Sequence, residues 1–189
     1  MNSPIGCSRK IENTNTAGAL YATSILMTTL LCPTVPPPHN TVALNVAAGL
    51  HGLLKGRQCQ AFIADMMVRV EADNVGYYPD VMVTCSKEDR TRESFKTDPL
   101  LIVEVLSSST AAYDRGKKFA SYRKIASLQH VVFIDPEVNS IDHFQRDGDR
   151  RTLLPSGEEG LSFTEIECQM AKVDIFAGVT AISEQASLS

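Results

Sequence analysis

Pro99-Leu-Leu-Ile-Val-Glu-Val-Leu-Ser-Ser-Ser-Thr110 decides how the rest of the chain is read. From Leu100 to Leu106 every residue is apolar except Glu104. A short apolar run bounded by a proline and a serine cluster predicts a buried sheet strand. A carboxylate in the middle of such a strand is costly unless a metal, a cation or hydrogen bonds compensate it. Glu104 therefore needs a partner, unless it only marks the strand's exposed end or pairs with a nearby arginine.

Downstream, the spacing predicts a helix from about Ala111 to Ala126, capped by Ser109 or Thr110. Asp114, Lys118 and Tyr122 recur at i, i+4 and i+8 and so share one helix face. Upstream, Tyr77–Cys85 reads as a strand with Asp80, Met82 and Thr84 on one face and Val81 and Val83 on the other. Two carboxylates on adjacent strands suit a hard divalent cation, with waters and a phosphate filling the remaining positions. A nearby ammonium would orient the attacking water and stabilise phosphoryl charge. Each residue also has a plainer reading. Asp80 after Pro79 is also a turn residue, Lys118 can pair with Asp114 on the surface, and Tyr122 can be a core aromatic.

The rest of the chain surrounds this centre. Pro33–Pro38 reads as a stiff extended linker. Asn40 is positioned to cap a helix that carries Ala43, Val46, Ala47, Leu50, Leu53 and Leu54 on one face and stops at Gly56. Strands are expected at Cys59–Ile63 and Met66–Glu71, a turn at Asp73–Gly76, and a charged surface loop over 86–98. Val131–Ile134 reads as a strand. Ile141–Gln145 and Arg151–Leu154 form a hairpin about Asp147-Gly148, and a short helix is expected near Val173–Phe176. The order predicts an α/β or α+β sheet with helices against it.

The chain has 189 residues, 43% hydrophobic and 21% charged, which is ordinary for one soluble domain. The net charge of −4 excludes nucleic-acid binding by overall charge. Such contact would need a local patch, for which Arg115, Lys117, Arg123 and Lys124 are the candidates. The five cysteines (Cys7, Cys32, Cys59, Cys85, Cys168) have no metal-site spacing. Reduced, mostly buried thiols in a cytoplasmic protein are expected. Ala17–Leu31 is too short and too rich in Ser and Thr for a membrane span.

At YYPDVMV, LLIVEVLSSST, AAYDRGKKFASYRKI and HVVFIDPE the chain resembles the Uma-type restriction endonucleases of the PD-(D/E)XK nuclease superfamily. The resemblance covers about His39 to Val179. It implies a restriction-endonuclease-like fold with a central mixed β-sheet. It also implies metal-dependent hydrolysis of phosphodiester bonds, of DNA in the first place, with Mg2+ or Mn2+ as cofactor. Carried over, Asp80 and Glu104 are the metal-binding acids. Leu106 stands where the superfamily's lysine usually follows the second acid, so the catalytic lysine corresponds to Lys118 on the next helix. Asp114 and Tyr122 are then support residues, and since specific nucleases of the superfamily often act as dimers, the resemblance makes a homodimer possible.

Residues 1–38 depart from the family's acidic opening and form an atypical N-terminal segment. Residues 39–180 then make the endonuclease-like domain, and 181–189 a C-terminal tail. Two other functions compete. One is a catalytically inactive relative that binds nucleic acid or protein, and the other a metal-dependent enzyme on a different phosphate substrate.

Overall fold

The computed structural model describes residues 37–154 and 159–179. The expectations for residues 1–36 and for the 181–189 tail lie outside the described residues. Among the described residues no helix is long and apolar enough to cross a membrane.

Helix α1 spans Pro37–Leu54. It starts a turn earlier than the linker reading allows, so Asn40 lies inside it and does not cap it. Proline is tolerated in a first turn because those N–H groups have no intrahelical acceptor to lose. The buried side chains Val42, Val46, Ala47, Leu50 and Leu54 form its inner face. Full burial of each large aliphatic side chain among them stabilises by roughly 1.5–3 kcal/mol. Gly56 ends the helix in the left-handed conformation, φ +79°, and the Arg57 N–H reaches back to the Leu54 carbonyl at 2.9 Å.

The strands are β1 (Gln60–Ile63), β2 (Met67–Val70), β3 (Val75–Tyr77), β4 (Val81–Thr84), β5 (Phe95–Lys96), β6 (Pro99–Val105), β7 (His130–Asp135), β8 (Ser140–Asp147), β9 (Arg150–Leu154), β10 (Leu161–Phe163) and β11 (Cys168–Met170). The main sheet runs β1-β4-β6-β7-β8-β9. Its β6–β7 pair is parallel and its other pairs are antiparallel, so the sheet is mixed. The strand expected over Tyr77–Cys85 is split, since Tyr77 ends β3 in a separate three-stranded sheet and β4 begins only at Val81. Within β4 the expected alternation holds. Val81 and Val83 face the core shared with α1, and Met82 faces the opposite core with Ile102 and Tyr122. The helix α5 (Lys172–Ile175) closes on α1, where Asn45 donates to the carbonyls of Ile175 at 3.0 Å and Ala177 at 2.9 Å.

Two further expectations are corrected. The 86–98 segment is not merely a surface loop. It contains α2 (Lys87–Thr91) and strand β5, folded about Asp89, which is wholly buried. That carboxylate accepts from Thr84, Arg92 and the backbone N–H groups of Thr97 and Asp98. A charged stretch folds inward here because one acid satisfies four donors, which no local pattern announces. The cysteines are not all reduced thiols either. Cys59 and Cys85 form a disulfide with Cα atoms 4.1 Å apart. Gln60 faces Thr84 across the antiparallel β1–β4 pair, so the register sets the next residues out opposite each other. Cys168 is a free, buried thiol as expected.

Candidate active site

Strand β6 is buried along both faces, and Glu104 is 2% exposed within it. Its partners come from the following helix. That helix comprises α3 (Ala111–Tyr113), a π-helical turn over Asp114–Lys118, and α4 (Phe119–Tyr122). It ends at Tyr122, earlier than the spacing predicts. Thr110 precedes it without a side-chain cap, and the Ala111 N–H is satisfied by the Ser107 carbonyl at 2.9 Å. A π turn within an α-helix is rare and is frequent at functional sites.

The three residues on the predicted helix face converge. Lys118 Nζ donates to Glu104 Oε2 at 2.7 Å, and the Tyr122 hydroxyl donates to Oε1 at 2.7 Å. Asp114 Oδ1 is 3.4 Å from the same Nζ. Lys118 and Asp114 are both buried, so their contact is no surface couple. Tyr122 is fully buried and stacks edge-on against Tyr77, with ring centroids 5.4 Å apart.

Asp80 immediately precedes β4. Val81 faces Val103 in the β4–β6 pair, so the same register brings Asp80 alongside Glu104. Asp80 Oδ2 accepts the Val105 backbone N–H at 2.8 Å. That contact fixes the carboxylate at the end of β6 where Glu104 lies.

Sequence reasoning misses one member of the site. His39, in the first turn of α1, places Nε2 3.6 Å from Asp80 Oδ2. Its Nδ1 is buried without a hydrogen-bond partner. The available signal is helical phase. His39 lies three residues before Val42 and seven before Val46, on the inward face, and a helix started at Asn40 leaves it out.

The electrostatics show a site short of positive charge. Burial pushes the Glu104 carboxyl up to about 8, against the pull of Lys118, and the Asp80 charge adds to the push. Burial likewise raises Asp80, although His39 and the Val105 N–H oppose it. Burial works against the Lys118 charge, but Glu104 and Asp114 outweigh it and hold the ammonium protonated above its ordinary value. Burial and the Glu104 charge drive the Tyr122 hydroxyl well upward, so it stays a donor. Both Glu104 oxygens accept hydrogen bonds, which is the arrangement of a carboxylate. What pushes it toward its acid form is burial beside Asp80 with one ammonium to serve three acids.

These donors fit a hard divalent cation. Among the described residues no three of His, Cys, Asp and Glu are grouped to hold a metal ion. Two carboxylates beside each other match magnesium, which keeps several waters and takes few protein ligands. Two surface hollows, of about 450 and 370 Å3, lie along the end of α1, and neither is lined by Asp80 or Glu104.

The expected basic patch is divided. Arg115 pairs with Asp142, and Lys124 pairs with Asp73. Lys117 and Arg123 are exposed without an ion pair among the described residues.

A family model described as "Uma2: Putative restriction endonuclease" matches residues 26–169. That match starts upstream of His39. Two uncharacterized proteins of Synechocystis sp. are similar to the chain. One is 36% identical over 139 residues, covering 71% of this chain and 76% of the relative. The other is 32% identical over 143 residues, covering 75% of each. A crystal structure from Anabaena variabilis, described as a putative nuclease belonging to DUF820, superposes with a TM-score of 0.63 at 15% identity. It covers 77% of this chain and 83% of that one. The fold is restriction-endonuclease-like.

Proposed function

The chain belongs to the Uma2 family, and on that footing we propose that it is an endonuclease hydrolysing phosphodiester bonds of DNA with Mg2+ or Mn2+. The observation that carries the reading is the buried contact of Glu104 with both Lys118 and Tyr122, beside Asp80. A carboxyl sunk this deep beside two further acids and one ammonium is pushed toward its acid form, and a bound cation would favour the ionised form instead.

Asp80 and Glu104 would hold the cation, which when bound lowers the pKa of a coordinated water and neutralises charge on the phosphate. Lys118 has three donors, of which Glu104 accepts one, while Asp114 Oδ1 lies 3.4 Å from the ammonium as an ion pair. A donor that Glu104 does not take would orient the attacking water or a phosphate oxygen. Tyr122 and Asp114 act through these two residues. Tyr122 fixes the rotamer of Glu104, and Asp114 fixes the ammonium.

The test is cleavage of supercoiled plasmid by the purified protein with Mg2+ or Mn2+. Asp80→Ala, Glu104→Ala and Lys118→Ala variants and a chelator control run beside it. Cutting by the wild type alone supports the reading. Cutting by Lys118→Ala would leave the metal site standing and remove the lysine's role. A folded wild type that does not cut would shift the reading to a nucleic-acid-binding relative. One observation favours that second reading: both Glu104 oxygens are already engaged by protein donors.

A further inference from the structure

The β8–β9 hairpin breaks a rule of sheet pairing. Arg146 stands directly opposite Arg151, and like charges in opposed positions repel. Arg123, just past the end of α4, adds a third guanidinium. Burial and then the charges of Arg146 and Arg123 pull Arg151 down to about 10.

None of the three has a carboxylate partner among the described residues. Arg146 spends its donors on carbonyls, those of Leu128 at 3.0 Å and Ile125 at 2.7 Å being the closest. Arg151 donates through Nη1 to the Gln129 carbonyl at 3.0 Å, and its Nη2 is buried with no acceptor. The Arg123 side chain makes no hydrogen bond or ion pair among the described residues. Asp147 and Asp149 sit at the exposed hairpin tip, yet neither forms an ion pair with these arginines among the described residues. In a chain of net charge −4, three guanidiniums gathered without an acid form a local anion site in waiting.

The cluster lies on the same side of the sheet as the carboxylates. Phe144, two residues before Arg146 and so on the same face, packs into the core that contains Tyr122. Gln145 faces His130, which faces Leu101, so Arg146 lies near the level of Leu100. Glu104 is four residues along the strand and two strands across, on the order of 15 Å away at the usual strand spacings. At about 3.4 Å per nucleotide step, that is about four or five nucleotides along one strand.

We propose that Arg123 and Arg151, with the charge of the carbonyl-bound Arg146 behind them, form a second contact for nucleic acid, binding a backbone phosphate about four or five nucleotides from the one that lies at the Asp80–Glu104 centre. The inference rests on the nuclease reading for its partner, but not on catalysis. Guanidiniums suit a phosphate because their planar donors meet two of its oxygens at once.

The test is binding of a labelled DNA duplex by the full chain in chelator, where no cutting occurs, across a series of salt concentrations. Arg146 is left intact because it ties down the carbonyls after α4. Arg123→Gln and Arg151→Gln together are expected to lower the dependence of log K on log salt by about one to two. At 0.1 M salt, affinity should fall by about eightfold for each guanidinium removed. Arg151→Glu separates binding from folding. It sets opposite charges across β8–β9, so the thermal midpoint should hold or rise while DNA affinity falls further. A parallel titration with inorganic phosphate at matched ionic strength distinguishes backbone from free phosphate.

Unchanged DNA affinity and salt slope in these variants would overturn the proposal, as would an Arg151-dependent response to inorganic phosphate alone. Should the variants bind normally while the wild type still cuts plasmid, only this inference fails. A wild type that neither binds nor cuts DNA would take the nuclease reading down as well.

Discussion

Replacing Glu104 with glutamine tests whether this carboxyl is held against its own charge. In the unfolded chain it titrates at the ordinary value of 4.5, and in the folded protein burial raises it to about 8. The folded state therefore binds the extra proton between those values. Stability contributed by a group with a raised carboxyl pKa falls as pH rises, because the unfolded chain releases its proton first. Each tenfold difference in proton affinity between the folded and unfolded chain is worth about 1.36 kcal/mol, so the penalty grows to about 5 kcal/mol at most by pH 8. Lys118 does not mask the effect. Its raised pKa adds stability that is lost only as pH climbs above the ordinary lysine value of 10.5. Asp80, also raised by burial, slopes in the same direction as Glu104.

The assay is urea unfolding at several pH values from 5 to 8, in chelator, for wild type and Glu104→Gln. Glutamine offers one acceptor oxygen where Lys118 and the Tyr122 hydroxyl both donate, so one of them loses its acceptor and the variant is less stable at pH 5. That deficit should shrink by several kcal/mol toward pH 8, because the wild type alone carries the titrating carboxyl. A difference between the two proteins that stays flat from pH 5 to 8 would refute the reasoning.

Other substitutions probe the supports of the site. Tyr122→Phe removes the donor to Glu104 Oε1 and leaves a buried oxygen unsatisfied, for a loss of about 1–3 kcal/mol in chemical denaturation. Plasmid cleavage should fall with it more than the loss of stability explains, since Glu104 is then free to rotate. Asp114→Asn removes one of the two acids on Lys118 and is expected to lower the lysine's pKa, read from the 15N or 13C shift of its Nζ or Cε. Reducing Cys59–Cys85 opens a 26-residue separation, and the chain-entropy relation gives about 3.5 kcal/mol, seen as a lower thermal midpoint with a thiol reductant present.

Local patterns in the chain are enough to set most of the elements and their inward faces. A period of two turns Val81 and Val83 away from Met82, and a spacing of four gathers Asp114, Lys118 and Tyr122, because both are direct consequences of strand and helix geometry. The same patterns require a partner for Glu104, since a charge inside an apolar strand is costly wherever the chain goes. Asp80 is legible only as one acid in an ordered set.

Register and distant packing decide the rest. His39 reaches Asp80 because α1 starts at Pro37 and packs on the sheet. Cys59 and Cys85 meet, and Arg146 meets Arg151, because strand pairing aligns them. Asp89 is buried because four donors from separate positions close around it. Strand pairing and side-chain packing join residues far apart in the chain, and their free energies depend on the whole fold, so no window of sequence carries them.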